Sequence, residues 1–188
     1  MKLTDLPPVP GVEHRQVAAN GVRLHVSEAG SGPPVILLHG WPQHWWCWRH
    51  VIPRLAERHR VLAPDLRGWG WSDAPRGDYA KATFAADILA LMDAEGLGRV
   101  SLVGHDWGGY VAFLLALRHP ERIERMVGLD IAPPWLAGSG RATSPRPWWA
   151  ATRRSWRRRS WARDDDVGQP VRTARHPCGQ WSRDAMGR

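Results

Sequence analysis

The residues best suited to chemistry lie in one turn, Gly104-His105-Asp106-Trp107-Gly108, set between an apolar run ending at Val103 and another that continues to Phe113. A nucleophile flanked at two residues' distance by glycines is the pattern of a sharp strand-to-helix turn that lifts its central side chain off the top of a sheet. Glycine is needed beside such a turn because no Cβ fits next to the strained central residue. Serine at the centre would attack carbonyl carbon. Aspartate suits attack on a saturated, electrophilic carbon, which leaves an alkyl ester on the protein. The helix that follows also favours an anion at its start. An aspartate before a helix is equally a common N-cap, so the turn alone leaves both roles open. A second segment, Leu37-Leu38-His39-Gly40-Trp41-Pro42, closes an earlier apolar run. In that arrangement the backbone N–H groups of Trp41 and Trp107 would form an oxyanion hole.

The elements that must position these residues are legible as far as residue 136. Asn20-Gly21 between "HRQVAA" and "VRLHVSEA" predicts a β-hairpin. "PVILLHG" reads as a strand buried on both faces, "RVLAPD" as another, and a helix is expected around Trp45 to Arg58. Phe84, Ile88, Leu91 and Met92 recur at helical spacing before Gly96, a C-terminal stop. Strand "VSLVGHD", helix "GGYVAFLLALRHP" and strand "RMVGLDIAPP" complete the series. A hairpin followed by repeated βα units predicts an α/β fold, a doubly wound and mostly parallel sheet with reactive ends at the strand C-termini.

The net charge of +8 belongs to one part of the chain. Residues 1–140 hold 14 Lys and Arg against 14 Asp and Glu, whereas residues 141–188 hold 12 Arg against four Asp. From Ala137 onward there is no Leu or Ile, and Trp148, Trp149, Trp156, Trp161 and Trp181 stand among the arginines. No apolar period offers a face to bury, so 137–188 is expected to be a disordered Arg/Trp-rich tail. Two readings are open: an arm that stacks on single-stranded nucleic acid, or the product of a reading-frame shift. Cys47 and Cys178 are too few for a disulfide framework. His44, Cys47 and His50 point in different directions along a helix and predict no metal site. No stretch approaches the roughly 20 apolar residues of a membrane span, and the opening residues do not read as a signal peptide. A cytoplasmic protein is expected.

Residues from about 12 to 136 resemble the α/β-hydrolase fold and, within it, the epoxide hydrolase-like group. The likeness rests on "HGWP", on "DLRGWGWSDAP" (Asp65 to Pro75), and on "GHDWGG" followed by "ALRHPERI". It implies opening of a small apolar epoxide by water to a diol, without a cofactor, through an ester on Asp106. It also implies an oxyanion hole of Trp41 and Trp107, a Trp41-Pro42 bond of the kind found cis, and a pocket lined by His39, Gly40, Pro42, His105 and Trp107. The pattern calls for a late histidine base, an orienting acid, and a helical cap carrying tyrosines. Neither the base nor the cap is identified here: Tyr79 and Tyr110 lie in the core region, and nothing around His176 reads as a strand end. Asp130, at a strand end, is a candidate orienting acid or a loop cap. The core is thus expected to be incomplete at its C-terminal end and to lack the cap, leaving the chain inactive as given. Arg67 and Asp73 are expected to be structural partners in their loop. Haloalkane dehalogenases share the Asp-Trp turn and are the alternative on this fold. A non-catalytic protein binding nucleic acid through the basic tail is the alternative from another class.

Overall fold

Runs of branched apolar residues with little helix-forming preference build six strands in the computed structural model, which describes residues 6–131. They are β1 (Glu13–Ala19), β2 (Val22–Ala29), β3 (Pro34–Leu38), β4 (Arg60–Pro64), β5 (Val100–His105) and β6 (Ile123–Leu129). Helices are α1 (Ile52–Ala56), α2 (Lys81–Ala94) and α3 (Trp107–Arg118). The sheet runs β1-β2-β4-β3-β5-β6. The β1/β2 and β2/β4 pairs are antiparallel, and β4/β3, β3/β5 and β5/β6 are parallel. The hairpin turns at Asn20 and Gly21, both with positive φ, as the dipeptide predicts. No helix among the described residues is long and apolar enough to cross a membrane.

Alternation along the central strands divides the core into two layers. Ile36, Leu38 and Leu62 face one side, with Phe84, Ile88, Leu91 and Met92 of α2 and Val111, Ala112 and Leu115 of α3. Val35, Leu37, Val61 and Ala63 face the other, with Trp45, Trp48 and Ile52. A one-residue slip would exchange the two sets, so the register is fixed by burial on both faces. Strand β6 is an edge among the described residues, with Val127 and Leu129 49% and 41% exposed.

Three expectations need correction. The helix predicted over Trp45 to Arg58 is broken into a 3₁₀ turn at Trp45–Trp48 and the short α1. Pro53 lacks the N–H that a continuous helix would use at that point, and it fits instead in the first turn of a new one. Arg67 and Asp73 hold the loop after β4, but each through a different partner. Arg67 makes a two-pronged contact to the buried Asp87 of α2, at 2.7 and 2.6 Å, and Asp73 pairs with Arg23 at 3.1 Å. The strand expected over 125–134 starts earlier, at Ile123, and ends at Leu129. The boundary expected near residue 137, the tail and its alternatives lie outside the described residues.

The hairpin is tied to the end of α2 by four charges. Arg15 and Arg60 each bridge Glu28 and Glu95, at 2.6, 2.6, 2.5 and 2.6 Å. Hydrogen bonding to Arg15, with Arg60 adding to it against desolvation, holds the Glu95 carboxyl below its ordinary range. Glu95→Gln is expected to cost about 1 kcal/mol near neutral pH, since solvent screens such pairs. A lowered folded-state value makes this contribution present above the unfolded carboxylate range and lost as pH falls. Urea midpoints of the two proteins should therefore converge in acid.

Candidate active site

Strands β3 and β5 are parallel neighbours, paired Leu38 with Gly104, so their C-terminal ends finish level. The chain leaving β3 is thereby pressed against the chain leaving β5. Asp106 makes the β5-to-α3 turn at φ 47° and ψ −114°, a conformation that L-residues rarely adopt. The surroundings hold it there. Its N–H donates to the Leu129 carbonyl at 3.1 Å, and its own carbonyl accepts from Tyr110 N–H at 3.1 Å. The glycines are required by contact: a Cβ on Gly104 would lie 2.5 Å from the Gly108 carbonyl oxygen, and one on Gly108 would lie 2.2 Å from that of Leu38. Gly40 belongs to the same lock, because its Cβ would stand 2.6 Å from Asp106 Cβ and 2.8 Å from His105 Nδ1. Gly40→Ala is expected to cost about 1–3 kcal/mol by overpacking, read as a lowered urea midpoint.

Strain and burial leave the carboxylate with one engaged oxygen. Trp41 N–H donates to Asp106 Oδ2 at 2.9 Å. Oδ1 accepts no hydrogen bond among the described residues. Trp107 is the first residue of α3, so its N–H belongs to the first turn, where no intrahelical acceptor exists. Side-chain capping is absent: the carboxylate does not bond its own helix. Of the two roles the sequence left open, a conventional N-cap is therefore not the one adopted. The Trp41-Pro42 bond is cis, as the resemblance implied.

The remaining expected residues divide. Trp41 is 58% exposed, and Pro42 is half-buried at the same end of the sheet. The Trp107 indole packs edge-on to Trp69 at 5.9 Å and against Phe84 at 6.1 Å. His39 is the exception, because it is fully buried. Its Nε2 accepts from Leu66 N–H at 2.9 Å, so Nδ1 carries the proton and donates to the Gly40 carbonyl at 3.0 Å. Burial lowers the His39 pKa in keeping with that neutral form. Both nitrogens hold loops, so His39 shapes the turn and does not face a pocket. His105 Nδ1 lies 2.9 Å from Gln43 Oε1, and its Nε2 is 3.9 Å from Asp130, whose side chain is 93% exposed. That separation is too long for a hydrogen bond. It makes a solvent-exposed pair, not an oriented acid–base dyad. Asp130 is also one of the few non-glycine residues with positive φ, 51°. His176 lies outside the described residues.

Two further groups have no local pattern that announces them. Lys81, first residue of α2, places Nζ 2.8 Å from the centre of the Trp107 ring. Beneath the β3 and β4 ends, Asp65 and His25 are fully buried with 2.8 Å between Oδ2 and Nδ1. Asp65 also accepts from Trp45 N–H at 2.7 Å and Trp71 N–H at 2.9 Å. It anchors both the loop that follows Pro42 and its own. Among the described residues no group of His, Cys, Asp and Glu could hold a metal ion. Trp45 and Trp48 are core residues, and burial pushes the Cys47 thiol up to about 12.

The model of a family described as alpha/beta hydrolase fold matches residues 33–169. The soluble epoxide hydrolase of Corynebacterium sp. (strain C12) is 48% identical over 122 residues, 65% of this chain and 43% of that protein. The AB hydrolase superfamily protein YfhM of Bacillus subtilis (strain 168) is 38% identical over 143 residues, 73% of this chain and 50% of its own. Among solved structures, an epoxide hydrolase from Vigna radiata superposes with a TM-score of 0.64 and 43% identity, covering 67% of this chain and 40% of its own. The chain thus spans half or less of each relative's length.

Proposed function

The chain belongs to the α/β-hydrolase fold family, and on that premise we propose that it carries the ester-forming half of an epoxide hydrolase site, with Asp106 as nucleophile. The observation that carries the reading is the asymmetric carboxylate: Oδ2 is held by Trp41 N–H and Oδ1 accepts no bond among the described residues. Oδ1 attacks a carbon of a small, largely apolar epoxide. The carbon–oxygen bond breaks, and a hydroxyalkyl ester of Asp106 results. Oδ2 is then the ester carbonyl oxygen, already seated where the N–H groups of Trp41 and Trp107 would receive negative charge when water adds. The close packing of Gly40 on Asp106 keeps the Trp41 amide beside the carboxylate, and Pro42 and the Trp107 indole wall the cleft. No cofactor enters this scheme. Asp130 is read as a loop residue: it stands 3.9 Å from His105 Nε2, too far to orient that ring as a base for water. Hydrolysis of the ester is therefore the slow half. The identity with epoxide hydrolases supports this chemistry over the dehalogenase alternative. A reducing compartment such as the cytoplasm suits the thiol of Cys47.

Intact-mass measurement tests the reading. The protein is mixed with a terminal epoxide and, separately, with a primary bromoalkane. The expected result is one epoxide adduct per chain, formed faster than any adduct from the bromide. Faster alkylation by the bromide, with bromide released, would assign the dehalogenase reading instead.

A further inference from the structure

We propose that Gln43 is a positioning residue of this site, bracing the Trp41 N–H that meets the charge arising on Asp106 Oδ2 when the ester is cleaved. The proposal rests on Asp106 being the nucleophile. Strands β3 and β5 are paired as far as Leu38 and Gly104. Past that pair, among the described residues, the hydrogen bonds joining the two departing chains are Trp41 N–H to Asp106 Oδ2 and the contact of His105 Nδ1 with Gln43 Oε1, each at 2.9 Å. An amide oxygen only accepts, so His105 Nδ1 carries the proton and donates.

Gln43 acts on both parties to the contact it braces. Its backbone N–H donates to the Gly40 carbonyl at 2.9 Å, and that oxygen also accepts from His39 Nδ1 at 3.0 Å. The Gly40 carbonyl and the Trp41 N–H are opposite ends of one planar, trans peptide. Two donors on the oxygen therefore set the direction in which the N–H points. The Gln43 side chain fixes the other party, since His105 ends β5 and directly precedes Asp106. The chains meet closely there: a Cβ on Gly40 would lie 2.8 Å from His105 Nδ1 and 2.9 Å from the His105 carbonyl oxygen. The Trp41 side chain, 58% exposed, gives its own amide little packing to hold it.

The two halves of the reaction use that amide differently. As Oδ1 bonds to carbon, negative charge leaves the carboxylate and the amide loses part of its partner. When hydroxide bonds to the ester carbon, an electron pair moves onto Oδ2 and the amide gains a full charge to bind. Collapse then expels the diol oxygen, which takes the proton that the carboxyl carries. Only contacts that are stronger in the transition state speed a step, so a brace on this amide favours cleavage over formation.

The parent chain, Gln43→Met, His105→Phe and the double variant are treated with a terminal epoxide. Formation of the ester, and its loss in mildly alkaline buffer, are followed by intact mass, with peptide mapping to place it. Hydrogen exchange of the Trp41 amide is read by NMR before treatment. Gln43→Met is expected to slow cleavage about 10-fold more than formation, short of the roughly 10²–10³-fold that deleting such a donor costs. Trp41 exchange should quicken about 5-fold, the scale of one hydrogen bond, while the amides of β5 hold. His105→Phe should reproduce that exchange, and adding Gln43→Met to it should change little, because the pair acts as a unit. Equal slowing of both steps, no slowing of either, exchange rising across β5 as much as at Trp41, or substitutions whose effects add would each overturn the proposal while sparing the nucleophile. No ester on Asp106 of the parent chain would overturn both together.

Discussion

Asp106→Asn should abolish covalent modification by an epoxide while leaving the fold intact. Asparagine matches aspartate in shape, so the φ of 47° and ψ of −114° at this position strain it no more than the native residue. Its amide oxygen can accept the Trp41 N–H as Oδ2 does now. What it lacks is the anion: a neutral amide has no lone pair nucleophilic enough to displace an alkoxide. Adduct formation at that site is expected to fall by at least about 10³-fold, the scale on which removal of a nucleophile registers. The urea midpoint is expected to shift little. This pairing of results separates chemistry from stability. A variant that lost adduct formation only because it unfolded would show both changes.

Asp65→Ala should act in the opposite way, on the fold first. Asp65 lies fully buried between His25, the Trp45 amide and the Trp71 amide. Burial alone would push its carboxyl up; the His25 hydrogen bond and charge, with the Trp45 amide, outweigh it and hold it below the ordinary range. Truncation strands a buried imidazole and two buried N–H groups at once. Removing one partner of such a pair costs about 3–5 kcal/mol, a large share of the stability of a domain this size. Equilibrium denaturation at neutral pH reads the loss. The pH dependence follows from two lowered values. With Asp65 lowered in the fold, its contribution is present above the unfolded carboxylate range and disappears as pH falls. His14 adds to this, since burial, with the charge of His25, lowers it from 6.5 to about 4. Between those values the unfolded chain binds a proton that the folded chain does not, so stability declines as pH drops from 6.5 towards 4. Unfolding of the parent protein should steepen over that interval, and His14→Gln should flatten it.

The parts of the site readable in the sequence are those whose determinants are short-range. The Asp106 turn announces itself because two glycines, an apolar strand and an apolar helix must all lie within a dozen residues. The same holds for the Asn20-Gly21 hairpin and for β3, whose four successive apolar residues suit a strand covered on both sides. The readings that went astray depended on partners far away in the chain. Arg67 reaches Asp87 on α2 and leaves Asp73 to Arg23 because the loop after β4 lies between the hairpin and the helix. No local pattern states that. His39 is a pocket residue only by the resemblance. Its burial and its bond to Leu66 N–H come from β4 ending beside β3. Lys81 gave no signal at all: a single lysine at a helix start means nothing until α2 is packed on α3 and its ammonium meets Trp107. Pro53 is the exception, a local signal for the start of a new helix within the stretch from Trp45 to Arg58.

The central claim is that the Asp106 carboxylate is the group that bonds to carbon. One measurement addresses it directly: the 188-residue chain is exposed once to a terminal epoxide, digested, and the peptides mapped by mass spectrometry. A hydroxyalkyl ester on Asp106, at one per chain and removable by alkali, is the result this account requires. Modification confined to other side chains, such as Cys47 or a surface histidine, with Asp106 untouched in a folded protein, would contradict it.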